Sequence, residues 1–450
     1  MTLDADRLRP RAGVLSDLLR LAGPVVVARL GVMAMGLTDS IVVGRFSATQ
    51  LGYHALGWAP TAVVLTTSVG LLSGIQVMTS RAIGEGRPER AGAVLRRGLA
   101  YSLQIGLVFS AALFLFGPAF LRVLGLEADL ARGAGVIVRI FALSLPLYLV
   151  ATAAASFLEG LGRPVPGMLL MWAANGVNLG LNLLLVPGGF GLPAAGAAGA
   201  AWATFGARLA LVVLVLAYIA RMKDARALGV FGKPEADRTA AAEQRRIGFG
   251  AGASLFVETA AFSGMNVVAG WLGGLAVAGW AIVLNVSAMA FMPPLGLAAA
   301  ASVLVGRAYG ARDGEGVIRT GLLGFAVCTV VSTIIALAVW PAAPLVARLY
   351  ATDPQLIRLA SHALVLACLF FVADALQVVA SMALRARGDV WVPTCTHVAS
   401  YALVMLPLGW VLAHPVGLGL DGIVWSVVVA SLLAAGLLLG RFWILSRRRL

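Results

Sequence analysis

Apolar positions along the 450-residue chain fall into long runs, broken by short clusters of arginine, glycine, proline and acidic residues. Reading the runs between those breaks predicts twelve helices, over 15–45, 53–82, 91–122, 130–160, 164–187, 195–221, 246–273, 277–306, 317–348, 356–384, 391–413 and 421–444. Each is long enough for the ~20 residues that a bilayer span needs. Several are longer, which implies tilt or protrusion beyond the bilayer.

The pattern also repeats. Arg81-Ala-Ile-Gly84 after the second run is echoed by Arg307-Ala-Tyr-Gly310 after the eighth, and Leu158–Arg163 after the fourth by Leu384–Asp389 after the tenth. Two copies of six spans keep the same orientation, so the expected architecture is an all-α polytopic membrane protein built as two six-helix bundles. A pseudo-two-fold axis along the membrane normal would relate them. The longest polar stretch, Arg221–Arg246, divides the copies into an N-lobe over 1–222, a cytoplasmic linker over 223–245 and a C-lobe over 246–450.

Composition excludes a soluble protein: 60% of residues are hydrophobic, 12% are charged, and the mean hydropathy is +0.93. The net charge of +14 would suggest nucleic acid elsewhere, but here it sorts by topology. Of 34 Lys and Arg, 26 lie on the side of the two termini and six on the other, with Arg29 and Arg208 inside spans. That asymmetry places both termini in the cytoplasm and calls for lipid but no nucleic acid as partner. Cys328, Cys368 and Cys395 all lie in apolar runs and are expected to be buried thiols without a disulfide. The start of the chain carries no pattern of a removable signal peptide. Among 53 glycines, Gly176/Gly180, Gly248/Gly252 and Gly270/Gly274 have the spacing of close helix packing.

Ionisable groups inside spans are costly and mark function. Asp39 lies in the first run, flanked by Thr38 and Ser40, and Asn178 and Asn182 share one face of the fifth, close to Asn175. Together they suggest a polar cavity in the first lobe for substrate or protons. In the second lobe Glu258 and Asp374 sit mid-span, with Asn285 on the eighth helix, where a transporter would place a coupling-ion site. Trp58, Trp172, Trp280, Phe256, Phe262 and Phe370 offer faces for cationic substrates, and His397 is a further titratable group in the eleventh span. No nucleotide-binding loop and no Cys/His metal cluster is visible, and no cofactor is expected.

The segments Thr38–Arg45, Arg81–Gly86, Asn178–Asn182 with Gly191-Leu-Pro and Gly196–Gly199, and Leu384–Asp389 resemble those of multidrug and toxic compound extrusion (MATE) transporters, over nearly the whole chain. The acids at Glu258 and Asp374 are similar to those of the NorM-type bacterial subgroup. An acid in place of Asn182 would have indicated the subgroup with its ion site in the first lobe. The resemblance implies a monomer of the bacterial inner membrane that exports cationic amphipathic compounds in antiport with Na+ or H+ by alternating access. Asp39, Asn178 and Asn182 would serve substrate or protons. Glu258 and Asp374, with Asn285 and Phe370 nearby, would form the cation-coupling site and would be the metal ligands if sodium is the ion. Two departures keep Na+ and H+ both open: the stretch Gly279–Asn285 lacks the His-Gln pair of the subgroup, and Phe370 stands where a hydroxylated aromatic would offer an oxygen.

Two other readings compete. A lipid-linked saccharide flippase of the same wider superfamily would have a larger, more basic cavity and extra helices. An integral-membrane enzyme would need clustered acids or a His/Asp pair near the cytoplasmic face, and none is apparent, so no enzymatic activity is expected.

Overall fold

The computed structural model describes residues 11–123, 127–189, 191–232 and 237–447. Ten residues at the start of the chain and residues 233–236 of the expected linker lie outside the described residues. The chain is helical from α1 (Arg11–Phe46) and α2 (Ala48–Gly84) through α3 (Glu89–Val123), α4 (Ala128–Gly160), α5 (Pro164–Leu185) and α6 (Gly196–Arg221). It continues with α7 (Arg238–Leu272), α8 (Gly274–Gly310), α9 (Gly314–Tyr350) and α10 (Pro354–Ala386). The next span is composite: α11 (Trp391–His397), a π-helical turn over Val398–Met405, and α12 (Leu406–Ala413), before α13 (Leu420–Ser446). Among the described residues twelve spans are long and apolar enough to cross a membrane, as the sequence predicts.

The repeat read from short motifs extends to the helix boundaries. α2 and α8 have 37 residues each and start 226 positions apart. α4 and α10 have 33 residues each at the same offset. Helix starts follow local chemistry. Ser47 caps α2 through the Gln50 N–H, Asp313 caps α9 through Gly316, and Asp353 caps α10 through Gln355, with Pro354 in the first turn.

Cα packing divides the chain into two compact units, 27–248 and 249–450 with Met1–Val26. In the first unit α4 is the most buried span and packs against α2, α3, α5 and α6. Its core gathers Leu72, Leu149, Phe157 and Leu158. In the second unit α10 holds the corresponding place, packed by α8, α9 and α13. One of its clusters joins Trp280, Phe370 and Tyr401, and another joins Leu18, Leu21 and Ala22 of α1 to Ala383, Leu438 and Phe442.

Two helices are shared between the units. α1 gives its first turns to the second unit and the rest to the first. α7 starts earlier than its apolar run predicts, because Asp237 caps the Ala-rich segment from Arg238 by accepting the Ala240 N–H at 2.9 Å. Those early turns belong to the first unit. Glu243 accepts from Arg81 at 2.7 Å, and Gln244 donates to the Val94 carbonyl at 3.2 Å. Here α2 and α7 touch backbone to backbone: a Cβ on Gly74 would strike the Gln244 carbonyl, and one on Gly248 would strike that of Leu71.

Of the glycines with close-packing spacing, Gly176, Gly180, Gly270 and Gly274 have open space where a Cβ would sit. Spacing gives a face, not what that face meets. The three cysteines are free thiols. Cys328 and Cys368 are buried but Cys395 is exposed, one turn after the exposed Trp391 on the outward face of α11.

Candidate functional site

In the first unit, the polar groups singled out in α1 and α5 meet. Asp39 is 2% exposed. Its Oδ1 accepts from Asn178 Nδ2 at 3.0 Å and from Asn182 Nδ2 at 2.7 Å, as the four-residue spacing of the two amides requires. Its Oδ2 accepts a short hydrogen bond from Thr204 on α6 and lies 3.9 Å from His54 Nε2 on α2. Four helices thus converge on one carboxylate. Asn175 turns aside and donates to the Gly31 carbonyl at 3.0 Å.

Beside this network is a cavity of about 20 Å³, bordered by Asp39, Thr204, Arg208, Tyr148 and Trp58. It has room for about one water molecule. Arg208, one turn after Thr204, donates to Ser144 Oγ at 2.6 Å and stands 5.0 Å above the Tyr148 ring. Sequence reasoning missed Thr204 and His54 as members of the site, since neither stands out in its own helix.

In the second unit, the Gln377 amide donates to Glu258 Oε1 and to Asp374 Oδ1, both at 3.3 Å. The two acids, 116 positions apart, are therefore neighbours. Tyr401 donates its phenol to the same Asp374 oxygen at 3.2 Å. Tyr401 lies in the π-helical turn, a distortion that often accompanies function. A hydroxylated aromatic does reach the pair, from α11–α12 rather than from position 370. Nearby, Arg385 donates to Ser254 at 2.6 Å, and His397 packs edge-on to Tyr401 with ring centroids 5.8 Å apart.

The structure does not bring Asn285 to the pair. It is exposed, and its amide donates back to the Ala281 carbonyl at 2.8 Å. Phe370 is buried, edge-to-face with Phe371 at 5.3 Å, and contributes packing. Of the other aromatics, Trp58 borders the Asp39 cavity, Trp280 is buried and stacked on Phe262, and Trp172 and Phe256 are exposed. Among the described residues no three His, Cys, Asp or Glu side chains cluster as metal ligands do. Gln377 could have been suspected from its place one turn after Asp374. Tyr401 could not, because only the tertiary fold aims it there.

The sequence matches the MatE family twice in tandem, over residues 24–184 and 251–411. It is 58% identical over 443 residues to the probable multidrug resistance protein NorM of Caulobacter vibrioides, covering 98% of this chain and 94% of that one. The chain belongs to the MATE family. Its members are transporters, not enzymes, and the tandem match, offset by 227 positions, agrees with the repeat in the helices. The multidrug resistance protein PmpM of Pseudomonas aeruginosa is 31% identical over 90% of this chain and 84% of its own length. Two solved structures share the fold. A MOP-superfamily transporter of Pyrococcus furiosus superposes with a TM-score of 0.89 at 20% identity, over 96% of each chain. An outward-facing multidrug resistance MATE transporter superposes at 0.87, also at 20% identity and over 96% of each chain.

Proposed function

We propose that this multi-pass MATE protein is a secondary active efflux transporter, exporting cationic amphipathic compounds in exchange for Na+ or H+. It works in the bacterial cytoplasmic membrane with both termini in the cytoplasm. One observation carries the reading: each compact unit holds its own buried carboxylate centre, Asp39 in the first and the Glu258/Asp374 pair in the second.

Antiport needs cargo and coupling ion to favour different states, because a ligand shifts a conformational equilibrium only by its differential affinity. Separate acid centres allow that. Asp39, beside Trp58 and Tyr148, offers a charge and aromatic faces to an organic cation. Glu258 and Asp374 are two like charges side by side, which a proton or a Na+ ion between them would relieve. In this reading the pair takes the ion from outside and Asp39 takes the cargo from inside. The names of the relatives point to multidrug export, and the arginine asymmetry supports the orientation.

The test is ethidium transport by the purified protein in liposomes, under an imposed pH gradient, an imposed Na+ gradient, or neither. Uptake against the dye gradient in either of the first two arms and not in the third is expected. Equal dye movement in all three arms overturns the reading.

A further inference from the structure

The network around Asp39 leaves one buried charge unaccounted for. Arg208 is 4% exposed, and an arginine keeps its charge at any working pH. Such a charge inside a membrane protein normally has a carboxylate against it. Arg208 has none at ion-pair distance among the described residues. Its Nη1 donates to the Ser144 hydroxyl at 2.6 Å, its guanidinium lies over the Tyr148 ring at 5.0 Å, and its Nε–H meets no acceptor.

The nearest acid in charge terms is Asp39. Thr204 donates to Asp39, and Arg208 follows Thr204 by one turn on the same face of α6. Acid and guanidinium border the same water-sized cavity without touching across it. The guanidinium therefore already has what an organic cation would seek at this site: the face of an aromatic ring and the field of a buried carboxylate.

We propose that Arg208 is a resident counter-cation that occupies the cation subsite of the first unit and sets how tightly the unit holds its cargo. An incoming organic cation has to share the field of Asp39 with Arg208, or displace the guanidinium from Tyr148. Both weaken binding, and both speed release, which an exporter requires. The proposal rests on Asp39 being the cargo acid. It adds that affinity for positively charged cargo is held down by a positive charge of the protein itself.

The experiment measures ethidium binding by fluorescence anisotropy in detergent and ethidium transport in liposomes. Arg208→Gln, which is neutral and polar but two atoms shorter, should lower the Kd for ethidium about tenfold, with KM and kcat both falling. Arg208→Leu should do the same, and Arg208→Lys, which keeps the charge, should stay within about twofold of wild type. The neutral dye Nile red should bind all four proteins alike. The gain from Arg208→Gln should vanish in the Asp39→Asn background.

An unchanged or raised Kd for ethidium in Arg208→Gln or Arg208→Leu, in protein of wild-type thermal stability, overturns the proposal. A gain that persists without the Asp39 carboxylate, or extends equally to Nile red, also overturns it, since cavity size and not charge would be the cause. If Asp39→Asn by itself leaves ethidium affinity unchanged, the assignment of Asp39 as cargo acid fails first, a result separable from any Arg208 variant. Should one neutral variant fail to fold, the other carries the same test.

Discussion

Arg81 at the end of α2 donates to Glu243 in the second turn of α7 at 2.7 Å, across 162 positions of sequence. The side chain of Arg81 is 7% exposed and that of Glu243 is 36% exposed. Removing the acid takes one charged partner from a largely buried guanidinium, while the exposure of Glu243 limits the loss. Glu243→Ala should cost about 1–2 kcal/mol, less than the ~3–5 kcal/mol of breaking a fully buried pair. Thermal unfolding of the purified protein in detergent reads the change. A melting point within error of wild type would show that the glycine contact of α2 with α7 holds the junction alone.

The two repeats differ at one backbone position. After α2 the chain reverses through Gly86 at φ 71°, and after α8 the equivalent residue, 226 positions on, is Arg312 at φ 56°. Both turns make the same bonds: Arg87 N–H to the Ala82 carbonyl at 3.0 Å and Asp313 N–H to that of Ala308 at 2.9 Å. A side chain in the left-handed region costs ~1–2 kcal/mol relative to glycine. Arg312→Gly should therefore raise stability, by about 1 kcal/mol once the flexibility gained by the unfolded chain is subtracted. Gly86→Ala should lower it by a similar amount. The same melting assay decides, and a fall for Arg312→Gly would mean that its side chain contributes more than its backbone costs.

Between α4 and α5, Arg163 grips Asp224 with two hydrogen bonds, at 3.0 and 2.6 Å. The guanidinium holds the Asp224 carboxyl below the usual carboxylate range. A group with a depressed folded value contributes stability above its unfolded pKa of ~3.9 and loses it as pH falls through the lower folded value. Both side chains are partly exposed, so the pair is worth at most ~1 kcal/mol. Asp224→Asn should melt slightly below wild type at neutral pH, and the gap should close below about pH 4. A gap independent of pH would assign it to packing. The second repeat has the opposite sign at this corner: Asp389, equivalent to Arg163, accepts from Arg441 at 2.7 Å.

Coupling should fail when either acid of the second unit is neutralised. Glu258→Gln and Asp374→Asn are each expected to lower gradient-driven ethidium transport by about tenfold or more, with detergent binding of the dye largely intact. The double variant should be little worse than either alone, since both act on one centre. Wild-type transport by both single variants would shift the coupling role to Asp39.

Much of this was legible in the sequence because it depends on local periodicity. Span lengths, the repeat and the shared face of Asn178 and Asn182 are set by helix geometry within one segment. What was missed depends on which faces meet. Nothing within positions 391–413 announces that a π-helical turn aims Tyr401 at Asp374, and Asn285 has the right chemistry on a face that turns away. Asp39 was visible as a misplaced charge, but Thr204 and His54 are ordinary residues until three helices bring them to it.

The exchange of helix ends between the units also governs the order in which the chain can be completed. The unit over 27–248 includes the first turns of α7, so the contacts of Gly74 with Gln244 and of Arg81 with Glu243 form only after α7 has begun to leave the ribosome. The other unit includes Leu18, Leu21 and Ala22, which pack with Leu438 and Phe442. The same cluster holds residues of α8, α9 and α10, so the start of the earliest helix finds its core only after the second unit has been made.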